Sequence, residues 1–178
     1  MPTAAELLDQ LDACPKGLPG WRSYEDIATA ILRFLFVPPL TEPKIQARSC
    51  SGIDRRDAVF GNRQMTPEST WGQLRIELAA RMPLFEFKNF DGEVGKDEVD
   101  QTRNYLTGTI GRLGVVCSRT SPSQQALLRR NQVYTQEKKV ILFITDENLR
   151  EMLRMKESGT DPALFLMDLV EAFYIQHE

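Results

Sequence analysis

The chain has 178 residues, enough for one domain with a hydrophobic core and short for two. Hydrophobic residues make up 42% and charged residues 26%, a globular balance that excludes a fibrous or low-complexity chain. A net charge of −3 excludes a uniformly basic nucleic-acid binder, so any electrostatic footprint has to come from how the charges are distributed.

In chain order, MPTAAELLDQ has no cationic region ahead of an apolar one and does not read as a secretory signal. CPKGLPGW, 14–21, is a Pro/Gly loop. Ser23 is the expected N-cap of a helix through YEDIATAILRFLF, 24–36, with Ile27, Ala30, Ile31 and Phe34 on one face and prolines 38, 39 and 43 as its stop. The apolar run there is broken by Arg33, so no membrane span is expected. KIQARSCSG (44–52) and RRDAVFGN (55–62) are expected strands joined by a turn near Gly52-Ile53-Asp54. PESTWGQLRIELAARM, 67–82, has helical spacing, with Leu74, Leu78 and Met82 as a stripe.

LFEFKNF, 84–90, is a strand, and KDEVDQTRNYLTGTI, 96–110, a helix with Val99, Leu106 and Ile110 inward. RLGVVCS (112–118) is a buried strand, and SPSQQALLRRNQVY (121–134) a helix opened by Ser121 and Pro122. KKVILFIT (138–145) is the last strand. DENLREMLRMK follows as a helix capped by Thr145 or Asp146, then GTDPALFLMDLVEAFYIQ as a helix capped by Asp161. This last helix is apolar on more than one face, which fits a core element or a dimer surface. The succession predicts an α/β fold: one domain, residues 1–178, with a mixed sheet flanked by helices.

Two charges in LFEFKNF need a reason. Strand side chains alternate, so Phe85 and Phe87 point one way and Glu86 and Lys88 the other. In RRDAVF, Asp57 and Val59 share a face. If the two strands are neighbours, Asp57 and Glu86 converge with Lys88 beside them. Two close carboxylates repel and at least one pKa rises unless a cation sits between them. A divalent ion with hard oxygen ligands resolves this, and Lys88 adds charge where a water loses its proton and a phosphate gains charge. The plainer readings are a solvated Glu86–Lys88 pair and an Asp57 that pairs with Arg55 or Arg56. Asp54, in the expected turn, is the other candidate for the first acid.

Asp57 followed by Glu86-Phe87-Lys88 on a later strand resembles the PD-(D/E)XK nuclease superfamily, the restriction-endonuclease-like enzymes. Gln101 and Tyr105 in QTRNY resemble its Gln-x-x-x-Tyr helix motif, and Glu25 in SYEDIATAIL its first-helix glutamate. Arg56 stands where the motif often has proline, and the helix at 67–82 is inserted relative to the family pattern. The resemblance implies an αβββαβ core over roughly 24–118 with an appended C-terminal strand and helices. It implies Mg²⁺, replaceable by Mn²⁺, on Asp57, Glu86 and the backbone carbonyl of Phe87. It further implies Lys88 on the attacking water, Gln101 positioning water or phosphate, and Glu25 supporting a second metal. The substrate class is DNA, with RNA as a further possibility. More loosely, the chain resembles bacterial defence nucleases in the cytoplasm, activated by homodimerisation or a separate recognition subunit. The alternative is a silent copy of the fold used for docking or nucleic-acid binding.

From Thr102 to Gln136 there is no Asp or Glu but there are five arginines, Arg103, Arg112, Arg119, Arg129 and Arg130, just after the acid-rich DGEVGKDEVD. These arginines, with Tyr105, are the expected phosphate and nucleic-acid contacts. His177, the one histidine, lies next to the C-terminus, which argues against His-based nucleases and hydrolase triads. No G-x-x-x-x-G-K-[ST] is present. Cys14, Cys50 and Cys117 lack close spacing and read as reduced thiols.

Overall fold

The structure, a computed structural model, describes residues 2–48 and 55–177. Asp54, Cys50 and the expected turn at 52–54 lie outside the described residues. Among the described residues, five strands form one sheet in the order β1 (Lys44–Arg48), β2 (Arg55–Val59), β3 (Leu84–Lys88), β4 (Leu113–Ser118), β5 (Val140–Thr145). β1, β2 and β3 are antiparallel neighbours; β3, β4 and β5 run parallel. The sheet is therefore mixed, as the alternation of elements predicts. No described helix is long and apolar enough to cross a membrane.

Helices cover both faces of the sheet. One core joins α1 (Ala4–Ala13), α2 (Trp21–Phe36), α3 (Thr70–Leu78), α6 (Asp146–Glu157) and α7 (Ala163–His177) to Phe85, Phe87, Val115 and Leu142. The other packs α4 (Lys96–Tyr105) and α5 (Gln124–Glu137) on Val59, Leu84, Val116 and Ile141. Period-two alternation on β3 thus sorts phenylalanines to one face and Leu84, Glu86 and Lys88 to the other. α4 lies close on β4 because residue 114 is glycine: a Cβ there would sit 2.6 Å from Thr102 Cγ2. That approach carries Gln101 toward the strand bearing Lys88.

Several expectations shift. Residues 4–13 form a helix not anticipated from the sequence: Thr3 and Glu6 form a capping box ahead of buried Leu7 and Leu11. Ser23 does not cap α2, because a 3-10 turn, Leu18–Gly20, feeds the helix from Trp21. The buried face of α2 is Tyr24, Ala28, Ile31, Leu32 and Leu35, rotated from the expected one because α1 and α6 both pack on it. α3 is shorter than expected and ends at Ala79 with φ 50°, and α4 ends at Tyr105, leaving buried Leu106 and Ile110 in a loop. Ser123, not Ser121, caps α5, and Thr145 caps α6. Asp161 Oδ1 accepts from Ala163 N–H at 2.9 Å at the start of α7.

One buried ion pair ties α1, α2, β4 and α6 together. Arg119 Nε lies 2.8 Å from Asp146 Oδ2, and Tyr24 Oη donates to Asp146 Oδ1 at 3.2 Å. The Arg119 guanidinium also sits 5.0 Å over the Tyr24 ring and donates to the Cys14 carbonyl at 3.1 Å. Removing one partner leaves an uncompensated buried charge. Arg119→Ala is therefore expected to cost about 3–5 kcal/mol in urea unfolding. Arg129→Ala, which breaks the half-exposed pair with Asp100, should cost about 1 kcal/mol or less.

Candidate active site

Asp57 sits where both of its ladders break. On β1, Ile45↔Ala58 and Ala47↔Arg56 are paired, but Gln46 and Asp57 between them are not. On β3 the pairing stops at Ala58↔Phe85. Gln46 has φ 50°, a left-handed conformation that costs a β-strand residue about 1–2 kcal/mol. Side chains replace the missing rungs. Asp57 N–H donates to Glu86 Oε1 at 3.3 Å, and Phe87 N–H donates to Asp57 Oδ2 at 2.9 Å. In an extended strand, N–H and C=O of one residue point to the same edge, so the Phe87 carbonyl faces this opened gap as well.

The structure thus brings Asp57, Glu86, the Phe87 backbone and Lys88 together, although α3 lies between their strands in the chain. Glu86 is 1% exposed, which rules out a solvated surface pair. No ion pair joins Asp57 to Arg55 or Arg56; Arg55 lies instead 4.0 Å from Glu25. Lys88 Nζ is 3.9 Å from Glu86 Oε2 and donates to Gln101 Oε1 at 2.7 Å. Gln101 Nε2 donates to Tyr105 Oη at 3.0 Å. Tyr105 is buried and backs Gln101, with Arg56 5.6 Å over its ring, so it does not present an open face to nucleic acid.

Two carboxylates of the described residues are buried, and they differ in compensation. Asp146 has an arginine at 2.8 Å and a tyrosine hydroxyl. Glu86 has an ammonium at 3.9 Å, one N–H, and a second carboxylate as neighbour. Burial pushes Glu86 up to about 8, the Asp57 charge pushes the same way, and Lys88 only partly opposes them. Asp57 is raised by burial, against the Phe87 N–H and Lys88. Glu25 is raised by burial and then by Asp57, which places it within electrostatic reach; Gln46 Nε2 donates to it at 3.5 Å. Gln46 was not anticipated, since nothing in its neighbours marks it. Glu25 and Gln46 line a polar cleft of about 310 Å³ with Trp21, Arg22, Asp26 and Arg55.

This donor set fits a hard divalent cation. It offers two carboxylates and a carbonyl, and burial raises the pKa of both carboxylates more than the nearby cations lower it. Among the described residues no three His, Cys, Asp or Glu side chains cluster closely enough to hold a metal by themselves, so backbone oxygen and water would complete the shell.

The five arginines do not converge on the carboxylates. Arg103 pairs with Glu137, Arg112 donates to the Glu77 carbonyl, Arg119 is buried on Asp146, and Arg129 pairs with Asp100. Arg130 lies over the Phe143 and Phe173 rings. Arg103 and Arg112 line a cleft with Glu137 and Lys139 before the start of β4 and β5, whereas Lys88 is at the end of β3. A gap in acidic sequence does not make a basic face when acids on α4, at the end of α5 and on α6, and a backbone carbonyl of α3, fold against the arginines.

A pH dependence follows in metal-free protein. Unfolded Glu86 loses its proton near 4.5 and folded Glu86 near 8, so between these values the folded state holds more protons and stability falls as pH rises. The expected slope approaches about 1.4 kcal/mol per pH unit in urea unfolding with EDTA, and Glu86→Gln should flatten it.

No family model matches the chain, and no solved structure matches it. Over 117 residues, 66% of the chain, it is 30% identical to the putative transposon gamma-delta 80.3 kDa protein of Escherichia coli (strain K12). The match spans about 16% of that protein's length.

Proposed function

We propose that the chain is a metal-dependent phosphodiesterase of the restriction-endonuclease-like class, acting on DNA and secondarily on RNA. The observation that carries this is the meeting of Asp57 and Glu86 across an opened β2–β3 ladder, with the Lys88 ammonium 3.9 Å from Glu86. The run α2, β1, β2, β3, α4, β4, with α3 inserted, supports the αβββαβ pattern. The transposon is a mobile DNA element, and the stretch shared with a protein named for one supports DNA as the main substrate.

Asp57, Glu86 and the Phe87 carbonyl would hold Mg²⁺ or Mn²⁺. When bound, the ion supplies the Lewis acid that lowers the pKa of a water and offsets phosphate charge. Lys88 would orient the attacking water or contact the scissile phosphate, its position fixed by Gln101 and, behind it, Tyr105. Glu25 offers a further carboxylate beside Asp57. Because the arginines of 103–130 are engaged within the fold, phosphate grip by one chain is weak, and we infer that a second copy or a recognition subunit completes it, as in a defence or mobile-element effector.

One observation favours a second reading, a silent subunit: the lack of a three-group metal cluster among the described residues. Cleavage of plasmid, linear duplex, single-stranded DNA and RNA with Mg²⁺ or Mn²⁺ separates the two. We expect EDTA-sensitive cutting, reduced about 10²–10⁴-fold in Glu86→Ala and Lys88→Ala, and about 10–100-fold in Gln101→Ala. Binding without metal dependence, and no cutting at any protein concentration, would leave the silent subunit.

A further inference from the structure

Lys88 also lines a cleft of about 520 Å³, within the roughly 300–1,000 Å³ of small-molecule sites. Its lining includes Leu18, Trp21, Phe87, Lys88, Phe90 and Asp91. Three of these are large apolar side chains left in solvent: Leu18 is 86% exposed, Trp21 37% and Phe90 38%. Exposed hydrophobics scattered singly need no explanation, but these three converge on one concavity. Phe90 falls past the end of β3 and so escapes the core that takes Phe85 and Phe87.

The cleft is held open by hydrogen bonds in its floor. Asn89 Nδ2 donates to the Pro15 and Gly17 carbonyls, each at 2.9 Å, and Gly17 N–H donates back to the Asn89 carbonyl at 2.9 Å. Arg119, locked on Asp146, donates to Asn89 Oδ1 at 3.3 Å. The backbone segments bearing Trp21 and Phe90 are thereby tied to each other, and the Arg22 guanidinium lies over the Trp21 ring at 5.0 Å, a cation beside the aromatic plane.

We propose that this cleft takes an unpaired nucleobase of the substrate strand, stacked on Trp21 and Phe90, while Lys88 meets the adjoining phosphate. The chemistry matches one occupant: an aromatic plane joined, a few ångströms on, to an anion. Aromatic side chains beside a cation are how single strands are gripped without regard to sequence. A base inside a duplex has both faces covered and cannot enter a cleft of this kind unless it is flipped out. The substrate class is therefore single-stranded nucleic acid, or a duplex locally opened. This rests on reading Lys88 as part of the phosphodiester site.

The test uses the whole chain in EDTA, so that binding is read without cutting. Trp71 is buried and Trp21 is not, so a ligand on Trp21 quenches the solvent-facing emission. The probes are a 12-nucleotide single strand, the same sequence as a duplex, and an abasic strand of equal length. The single strand is expected to quench and to bind about tenfold tighter than either of the others. Read by the anisotropy of an end-labelled strand, because the Trp21 variants lose the fluorophore, Trp21→Ala and Phe90→Ala should each weaken binding about tenfold, with Trp21→Phe keeping most of the affinity and serving as the folded control. Equal binding of the abasic strand or the duplex, or wild-type affinity in both alanine variants, would overturn the proposal. Quenching by the single strand in a protein that neither cuts nor gains stability from Mn²⁺ would uphold the cleft and sink the catalytic reading. Duplex cutting at the wild-type rate by Trp21→Ala and Phe90→Ala, without a stacking signal, would do the reverse.

Discussion

A carboxylate at Glu86 has been taken out of water and set beside another, Asp57, with one ammonium 3.9 Å away. Ionising both in a buried place is costly, and the surroundings make room for that cost to be met from outside the chain. The β1–β2 ladder skips the Gln46–Asp57 rung and the β2–β3 ladder ends just before Asp57, Gln46 takes a strained backbone opposite it, and the freed amides of Asp57 and Phe87 turn to the carboxylates. Gly114 lets α4 approach the sheet, which places Gln101 on Lys88. Each of these departures from regular structure lies within a few residues of the same two side chains. Local irregularity that converges in this way marks a site, whereas irregularity that is scattered does not.

Asp146 provides the contrast within the same fold. It too is buried, and burial raises its pKa, but Arg119 and Tyr24 face it directly and the result is a brace between four elements. The difference between the brace and the candidate site is one well-placed cation. The same bookkeeping explains the arginines of 103–130. Four meet an acid or a carbonyl of the chain and the fifth lies over aromatic rings, so they hold helices to the sheet.

Much of the candidate site was legible because strand periodicity is strict. Once LFEFK is a strand, Phe85 and Phe87 go to one core, and Glu86 and Lys88 to the other face. The i, i+4 spacing of Gln101 and Tyr105 likewise put both on one helix side, and they do bond to each other. The sheet order could be anticipated in class but not in register, since nothing local tells that α3 leaves β2 and β3 as neighbours. What escaped was set by partners remote in sequence. Arg119 looks like any exposed arginine until Asp146 is folded against it. Gln46 acquires its conformation from the missing rung at Asp57. Trp21 was read as the end of a loop, though it begins α2 and stands in two clefts at once. The T-x-x-E box of α1 is the exception: a local signal ahead of an apolar run, yet no helix was expected there.

We propose that Asp57 and Glu86 together seat a divalent cation, and thermal melting with Mn²⁺ or Mg²⁺ tests this without needing the substrate or a partner. A cation that binds only the folded state stabilises by about 2.7 kcal/mol at a hundredfold excess over Kd. The account predicts a metal-dependent rise in Tm that is larger at pH 8 than at pH 5.5, because the ligands must shed protons first, and that vanishes in Glu86→Ala. A wild-type protein whose melting ignores both ions, or a rise of equal size in Glu86→Ala, would contradict it.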